Sequence, residues 1–412
     1  MVACHFCRFC PNHISDGLVP QLTRNLQREI PLKAYQLFIF TAIRTVTNTS
    51  FRMIYPFLAV FARGLGVDIS VVSGLVANRA LVGAATPFLF PFIETRGRKF
   101  GMSVGLGLFV LAMGIVVLFP SITTFGIALI LGMIGRSIFD PSMASYIADH
   151  IDYKKRGAAI AFSEFAWSLA FILGIPFVGW LITKSKWSAP FWALGILGLA
   201  ALTFILLTLR DSTRPAPHAD SAFGSVKQIM ASPVVWVVFS IGACLTSSNE
   251  VVNLMFGVWL GDSFQLQIAA LAGASAVIGL SELGGEGLVA LFVDRIGKVR
   301  AAGLGIIANS VAAILLPIIG RTELGALVGL FFFFISQEFT IVSIIPLNSE
   351  VMPSARATTL ALAGSVNFTG RAIGATLAPI LYSFGFGVVT GTAVIFNMLA
   401  LVSVWYVSKH YD

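Results

Sequence analysis

The sequence predicts an all-α membrane protein of twelve transmembrane helices in two pseudo-symmetric six-helix bundles. Three observations carry that expectation. Apolar residues fill 57% of the 412 positions and charged residues only 11%, against roughly 25% charged in a soluble domain. The apolar stretches are about the 20 residues that cross a bilayer as a helix, without the alternation of barrel strands. One long polar interruption, Arg210 to Ser232, leaves six apolar stretches on either side of it.

The first six stretches lie near 36–62, 70–92, 100–120, 124–148, 157–182 and 190–209. The second six lie near 233–259, 267–292, 301–320, 324–349, 357–382 and 388–407. The expected organisation is therefore a tail at 1–35, an N-terminal bundle at 36–209, a linker at 210–232, a C-terminal bundle at 233–407 and a short end at 408–412. The Pro, Ser and charge content of the linker marks it as cytoplasmic polar chain.

A formal charge of +8 raises the question of nucleic acid, and the placement of the basic residues answers it. With the N-terminus inside, the inner segments hold 18 Lys and Arg and the outer loops hold four, Arg63, Lys184, Lys186 and Arg321. That bias is the positive-inside rule. It predicts both termini in the cytoplasm of a bacterial inner (plasma) membrane, a lipid bilayer as the basic face's partner, and no nucleic acid. No apolar stretch with a cleavage site precedes the first span, so export of the chain is not expected.

The tail contains Cys4, Cys7, Cys10 and His13, four ligand-type residues spaced by three. Zinc knuckles come as two pairs separated by a longer loop, and ten contiguous residues can hardly surround one ion. The expectation is a disordered tail, or a start placed too early, with no metal and no cofactor. Leu22, Leu26 and Ile30 alternate with Arg24 and Arg28 at helical spacing, as in a helix lying on the inner leaflet.

Charges inside the spans are the functional signal. Five Arg (44, 52, 79, 136, 371) and six acids (Asp140, Glu164, Glu250, Glu282, Glu286, Glu338) fall in spans 1, 2, 4, 5, 7, 8, 10 and 11, and none in 3, 6, 9 or 12. Each costs roughly 2.5 to 3.5 kcal/mol or more facing lipid, so they line a cavity or pair. In span 1, Arg44, Asn48, Arg52 and Tyr55 form one helical stripe. That stripe reads either as a cavity wall or as a set of salt bridges to acids of the second half. Arg136 and Asp140 stand i, i+4 and can pair locally. Further cavity candidates are Arg79, Asn249, Asn253, Arg371 and the 200-apart residues Trp167 and Asn367.

The N-terminal half holds four of the buried Arg and two acids, and the C-terminal half one Arg and four acids. A cationic wall facing an acidic one suits an anionic or zwitterionic solute and proton binding. Glu164, Glu250 and Glu338 have no basic residue at i±3 or i±4 and are the expected proton carriers, although Arg371 could reach Glu338 across helices. Glu282 and Glu286 share a face nearer the cytoplasmic end, which suggests gating by Glu286 or a like-charge pair.

An offset of 200 residues pairs Glu94 with Asp294, Gly97 with Gly297, Arg98 with Lys298, Arg156 with Arg356 and Gly174 with Gly374, the mark of an internal repeat. The paired loops carry a resemblance. FPFIETRGRK (90–99) and ALFVDRIGKVR (290–300) resemble the cytoplasmic loop G-x-x-x-D-R-x-G-R-R of the major facilitator superfamily. The first has Phe90, Glu94 and Thr95 where the family has Gly, Asp and Arg. The second keeps Asp294, Arg295, Gly297 and Lys298. Arg136 is similar to the family's fourth-helix Arg, and IADHIDYKKRG (147–157) to its fourth-to-fifth loop. The resemblance implies a cytoplasmic gate in which Glu94 and Asp294 hold that side closed and Arg98 bridges to Asp149. AFILGIPFVGW (170–180) partly resembles the glycine-proline signature of the superfamily's proton antiporters, with Pro176 displaced by one position.

No phosphate loop, nucleophile with a base, or HExxH pair is present, so an enzyme is not expected. The expected function is a monomeric secondary transporter of a small organic solute, coupled to protons and working as efflux. Uptake by symport, and a transporter-shaped receptor that moves nothing, are the alternatives.

Overall fold

A computed structural model describes residues 34–88, 96–209 and 226–410. The tail cysteines with His13, the residue Glu94 and most of the linker lie outside the described residues. The described chain is helical throughout, with no strand.

The first half begins with α1, which is Ala34–Arg52 followed by Ile54–Leu65. The break between them was not expected from hydropathy and has a local cause. Pro56 has no N–H and crowds the carbonyl of Arg52, and Phe57 leaves helical geometry at φ −110°, ψ 20°. Next come α2 (Ile69–Ala85), α3 (Arg98–Leu118) and α4 (Ile122–His150). The α2 helix stops earlier than the apolar stretch and passes into a 3₁₀ turn at Thr86–Phe88. Asp68 caps its start by accepting from Ser70 N at 2.8 Å, and the hydrogen bonds from Ser70 hold this carboxyl below its ordinary range.

The α5 helix runs as Tyr153–Glu164, Ala166–Leu169, a π turn at Ala170–Gly174 and Ile175–Lys184. The π turn precedes Pro176, whose missing donor frees the carbonyl of Ile172. The half ends with α6 (Ala189–Thr208).

The second half is α7 (Pro233–Phe264), α8 (Ile268–Ile296), α9 (Lys298–Ile319), α10 (Glu323–Ser343 then Ile345–Glu350), α11 (Arg356–Tyr382) and α12 (Phe386–His410). Among the described residues nine helices are long and apolar enough to cross a membrane. The exceptions are the two-part α1, the 17-residue α2 and the polar α11. Ahead of α7, Ile229 is buried against Val235 and Phe239, so the end of the expected linker packs onto the second half.

Two repeat-related glycines make the same turn. Gly97 and Gly297 precede α3 and α9 at φ 101° and 89°, a region that side-chain-bearing residues avoid. The pairs that join the halves are also repeat-related: α2 packs on α11 and α5 on α8, which exchange under the 200-residue offset. α1 meets α7.

The bundle has a basic end, with Arg98, Arg156, Arg295, Lys298, Arg300 and Arg356, and a far end with Arg63, Lys184, Lys186 and Arg321. At the far end the halves touch backbone to backbone. A Cβ on Gly257 of α7 would lie 2.6 Å from the Pro56 carbonyl oxygen, and one on Gly179 of α5 would lie 2.8 Å from Ala272 of α8. Toward the basic end a cavity of about 320 Å³ opens between α2, α4 and α11, lined by Thr86, Arg136, Asp140, Ala361 and Phe368 among others. Among the described residues the halves meet at the far end, and this cavity lies toward the basic end.

Candidate functional site

Four elements of the first half aim their ionic side chains at one region between the halves. In α1, Arg44 Nη1 lies 2.7 Å from Glu164 Oε1 of α5 and donates to the Ser163 carbonyl at 3.2 Å. Its Nε is 3.6 Å from Asp140 Oδ1. Arg136, one turn before Asp140 on α4, reaches Asp140 Oδ2 at 3.2 Å. Asp140 therefore serves two arginines.

About two turns further along α1, Arg52 crosses to the other half. Its Nη1 and Nη2 donate to Glu282 Oε2 and Oε1 of α8 at 2.7 and 2.6 Å, and Nη1 also donates to the Trp167 carbonyl at 3.0 Å. The Arg52 side chain is 1% exposed. This is the salt-bridge alternative of the α1 stripe at Arg52: two of its nitrogens are engaged by a carboxylate of the second half.

Next on the stripe, the Tyr55 hydroxyl donates to Glu250 Oε1 of α7 at 3.0 Å and accepts from Arg79 Nη2 of α2 at 3.2 Å. The second oxygen of Glu250 is held by Arg371 Nη1 of α11 at 3.0 Å. Arg371 thus pairs with Glu250 and not with Glu338, because α11 lies against α7. Arg79, 3% exposed, has no carboxylate within ion-pair distance among the described residues and donates to the Phe51 carbonyl at 2.8 Å.

Aromatic rings connect these cations into a chain of contacts that no sequence motif announced. Phe51 touches Arg79 and Arg136, with guanidinium carbons 3.8 and 4.6 Å from its centroid. Trp167 touches Arg136 at 5.1 Å and Arg52 at 4.1 Å, and Phe171 touches Arg52 at 3.5 Å. Desolvated cation–π contacts are worth about 2 kcal/mol each, so three like charges are held close together by ring faces as well as by acids.

Of the three expected proton carriers, Glu164 and Glu250 have arginine partners on other helices, which their own helices could not reveal. Glu338 has none among the described residues. It stands against α8, where a Cβ on Gly285 would lie 2.8 Å from the Glu338 Cβ. Glu282 and Glu286 are its electrostatic neighbours. Glu286, expected at the gate, sits ten residues before the end of α8, about 15 Å at 1.5 Å per residue, with Ser168 Oγ of α5 3.5 Å from its Oε1.

The asparagines divide. Asn48 is fully buried and neither side-chain atom has a partner among the described residues, and Asn253 and Asn249 each leave Oδ1 unpartnered there. Asn367 instead packs on α7, its Oδ1 occupying the space that a Gly242 Cβ would take. At the basic end, Arg98 Nε lies 3.4 Å from Asp149 Oδ2. Lys298 pairs with Glu350, a residue the sequence reading missed because the offset of 200 from Asp149 falls one residue short, on Ser349. Asp294 and Arg295 are exposed. Phe51, Phe171 and Ser168 were also missed, since apolar and small residues carry no charge signal in a span.

A family model described as Major Facilitator Superfamily matches residues 40–375. Two curated relatives from Bacillus subtilis (strain 168) are the uncharacterized MFS-type transporters YbcL and YwfA. YbcL is 24% identical over 330 residues, covering 78% of this chain and 83% of the relative. YwfA is 22% identical over 368 residues, covering 87% and 88%. Multidrug resistance protein 2 of the same organism is 25% identical over 276 residues, covering 63% of this chain and 67% of that one. Among solved structures, a bacterial homolog of the human lysosomal transporter Spinster, inward-facing and occupied, superposes with a TM-score of 0.74 at 16% identity, covering 92% and 97%. A POT family transporter in complex with 5-aminolevulinic acid gives 0.75 at 12% identity, covering 92% and 98%. At these identities the structures speak for the fold.

Proposed function

The chain belongs to the major facilitator superfamily, and from that premise we propose that it is a proton-coupled secondary transporter that exports an amphipathic organic solute by alternating access. It is an integral membrane protein of a transporter family. The finer statements are our reading: twelve spans in bundles 36–209 and 233–407, both termini on the cytoplasmic side of the plasma membrane, and a monomer as the working unit. The excess of Lys and Arg at the basic end supports its assignment to the cytoplasm, which puts the cavity between α2, α4 and α11 toward the inner side.

One observation carries the coupling. Glu286 and Glu338 are the interior acids that no guanidinium neutralises among the described residues. A carboxylate left without a counter-ion in a membrane protein is stabilised by a proton or by a cationic group of a solute, and the two compete for it. Competition of that kind is what exchange requires: proton entry from outside displaces the solute, and the solute entering from inside displaces the proton. The name of the multidrug resistance relative agrees with efflux.

A second reading rests on Arg79. This buried cation without a carboxylate partner would favour an anion, and an anion and a proton bind together rather than compete, which is symport. Turnover in proteoliposomes against a panel of cationic, zwitterionic and anionic solutes, with and without an imposed pH gradient, separates the two. Exchange is supported where an outward solute flux is driven by inward protons. Co-movement of an anion with protons supports symport, and binding without flux would favour a receptor.

A further inference from the structure

On the outer side of the second half, α8, α9 and α10 leave a groove of about 660 Å³ between them. Its lining is apolar except for Ser336, and its floor is shallow-walled because small residues stand there, Gly305 and Ala308 of α9. Phe292 of α8 and Phe332 of α10 rise on either side, 42% and 56% exposed. Along α9 the lining runs from Leu304 to Ile319, about 22 Å at 1.5 Å per residue, against a hydrocarbon core of about 30 Å. In a bilayer such a groove is filled by hydrocarbon.

The mouth at the basic end carries exposed cations. Arg295 follows Phe292 by three residues and Arg300 precedes Leu304 by four, so each lies on the helix face that borders the groove. Both are exposed, and neither has a carboxylate within ion-pair distance among the described residues. Lys298 between them is engaged by Glu350. The neighbouring Asp294 is exposed as well.

We propose that this groove is a binding site for an anionic phospholipid, with one acyl chain between α8 and α10 along α9 and the headgroup phosphate on Arg295 and Arg300. An apolar slot of acyl-chain length whose membrane-surface end bears two exposed guanidiniums matches that ligand in shape and in charge. Ile335 and Phe339, on the same helix as Glu338, line the groove, so the chain would bear on the α8–α10 contact at which Gly285 meets Glu338. The site needs only a bilayer and is independent of which solute is moved.

The test is native mass spectrometry of the full chain in mild detergent, with phosphatidylglycerol or phosphatidylcholine of identical acyl chains. The parent should retain phosphatidylglycerol roughly thirtyfold better, from two basic residues at about 1 kcal/mol each. Arg295→Gln with Arg300→Gln should bring retention down to the phosphatidylcholine level at an unchanged melting temperature. Ala308→Phe, which fills the groove, should abolish retention of both lipids. Equal retention of the two lipids by the parent, or phosphatidylglycerol retention untouched in the double Gln variant, overturns the proposal. The surface position of the two arginines keeps the test valid should Ala308→Phe fail to assemble.

Discussion

Arg52 and Glu282, 230 residues apart and on opposite halves, share two hydrogen bonds of 2.7 and 2.6 Å with almost no exposure to solvent. The pair ties α1 to α8 just where Pro56 has loosened α1. Any movement of one half against the other has to keep this pair or exchange its partners.

Breaking the pair should therefore cost stability before it changes selectivity. Arg52→Ala strands the Glu282 carboxylate, and a buried pair broken on one side loses about 3 to 5 kcal/mol. A joint replacement of both residues by leucine should recover most of that loss. Thermal unfolding in detergent measured beside solute binding checks it. Weakened anion binding at parental stability would instead return Arg52 to the solute site.

Glu286→Gln and Glu338→Gln should each weaken the binding of a cationic solute, make what binding remains less dependent on pH, and weaken the dependence of flux on a pH gradient. Glu164→Gln should leave that dependence in place, because its partner Arg44 also holds Asp140. Flux measured in vesicles at several imposed gradients tests the contrast. Parental pH-driven flux in both the Glu286→Gln and the Glu338→Gln variants would remove these acids from the coupling.

The loop carboxylate Asp294 is exposed. If it latches that end closed against a helix N-terminus of the opposite half, Asp294→Asn should cut turnover by roughly tenfold, a loss of about 1.4 kcal/mol at the transition barrier. Membrane insertion should be unaffected. Parental turnover in reconstituted vesicles would rule the latch out.

Gly257 lets the Pro56 backbone approach at the far end. Gly257→Leu should wedge the halves apart there and shift the population toward a form open at the far end. A single cysteine replacing Ala272, which is 3% exposed at the contact with Gly179, should then react faster with a membrane-impermeant thiol reagent. An unchanged labelling rate would show that the contact does not seal that side.

Features set by neighbours in the chain could be read from the sequence. Span-length apolar stretches, the repeat at 200 residues, the absence of interior charge from α3, α6, α9 and α12, and the i, i+4 pair of Arg136 with Asp140 follow from hydropathy and helical periodicity. Gly97 and Gly297 belong with them, since a turn at positive φ is a property of one residue. Which acid answers which arginine was beyond such rules. The stripe of α1 was visible, but whether it faced water or carboxylates depended on which face of α8 it met, and Glu282 lies 230 residues from Arg52. Arg371 chose Glu250 over Glu338 because α11 packs on α7. The unpaired state of Glu286 and Glu338 is a remainder, known only once every other partner is assigned. A hydrogen-bonded ion pair forms only when donor and acceptor come within about 3 to 4 Å, and only the packing of helices distant in sequence brings those few ångströms about.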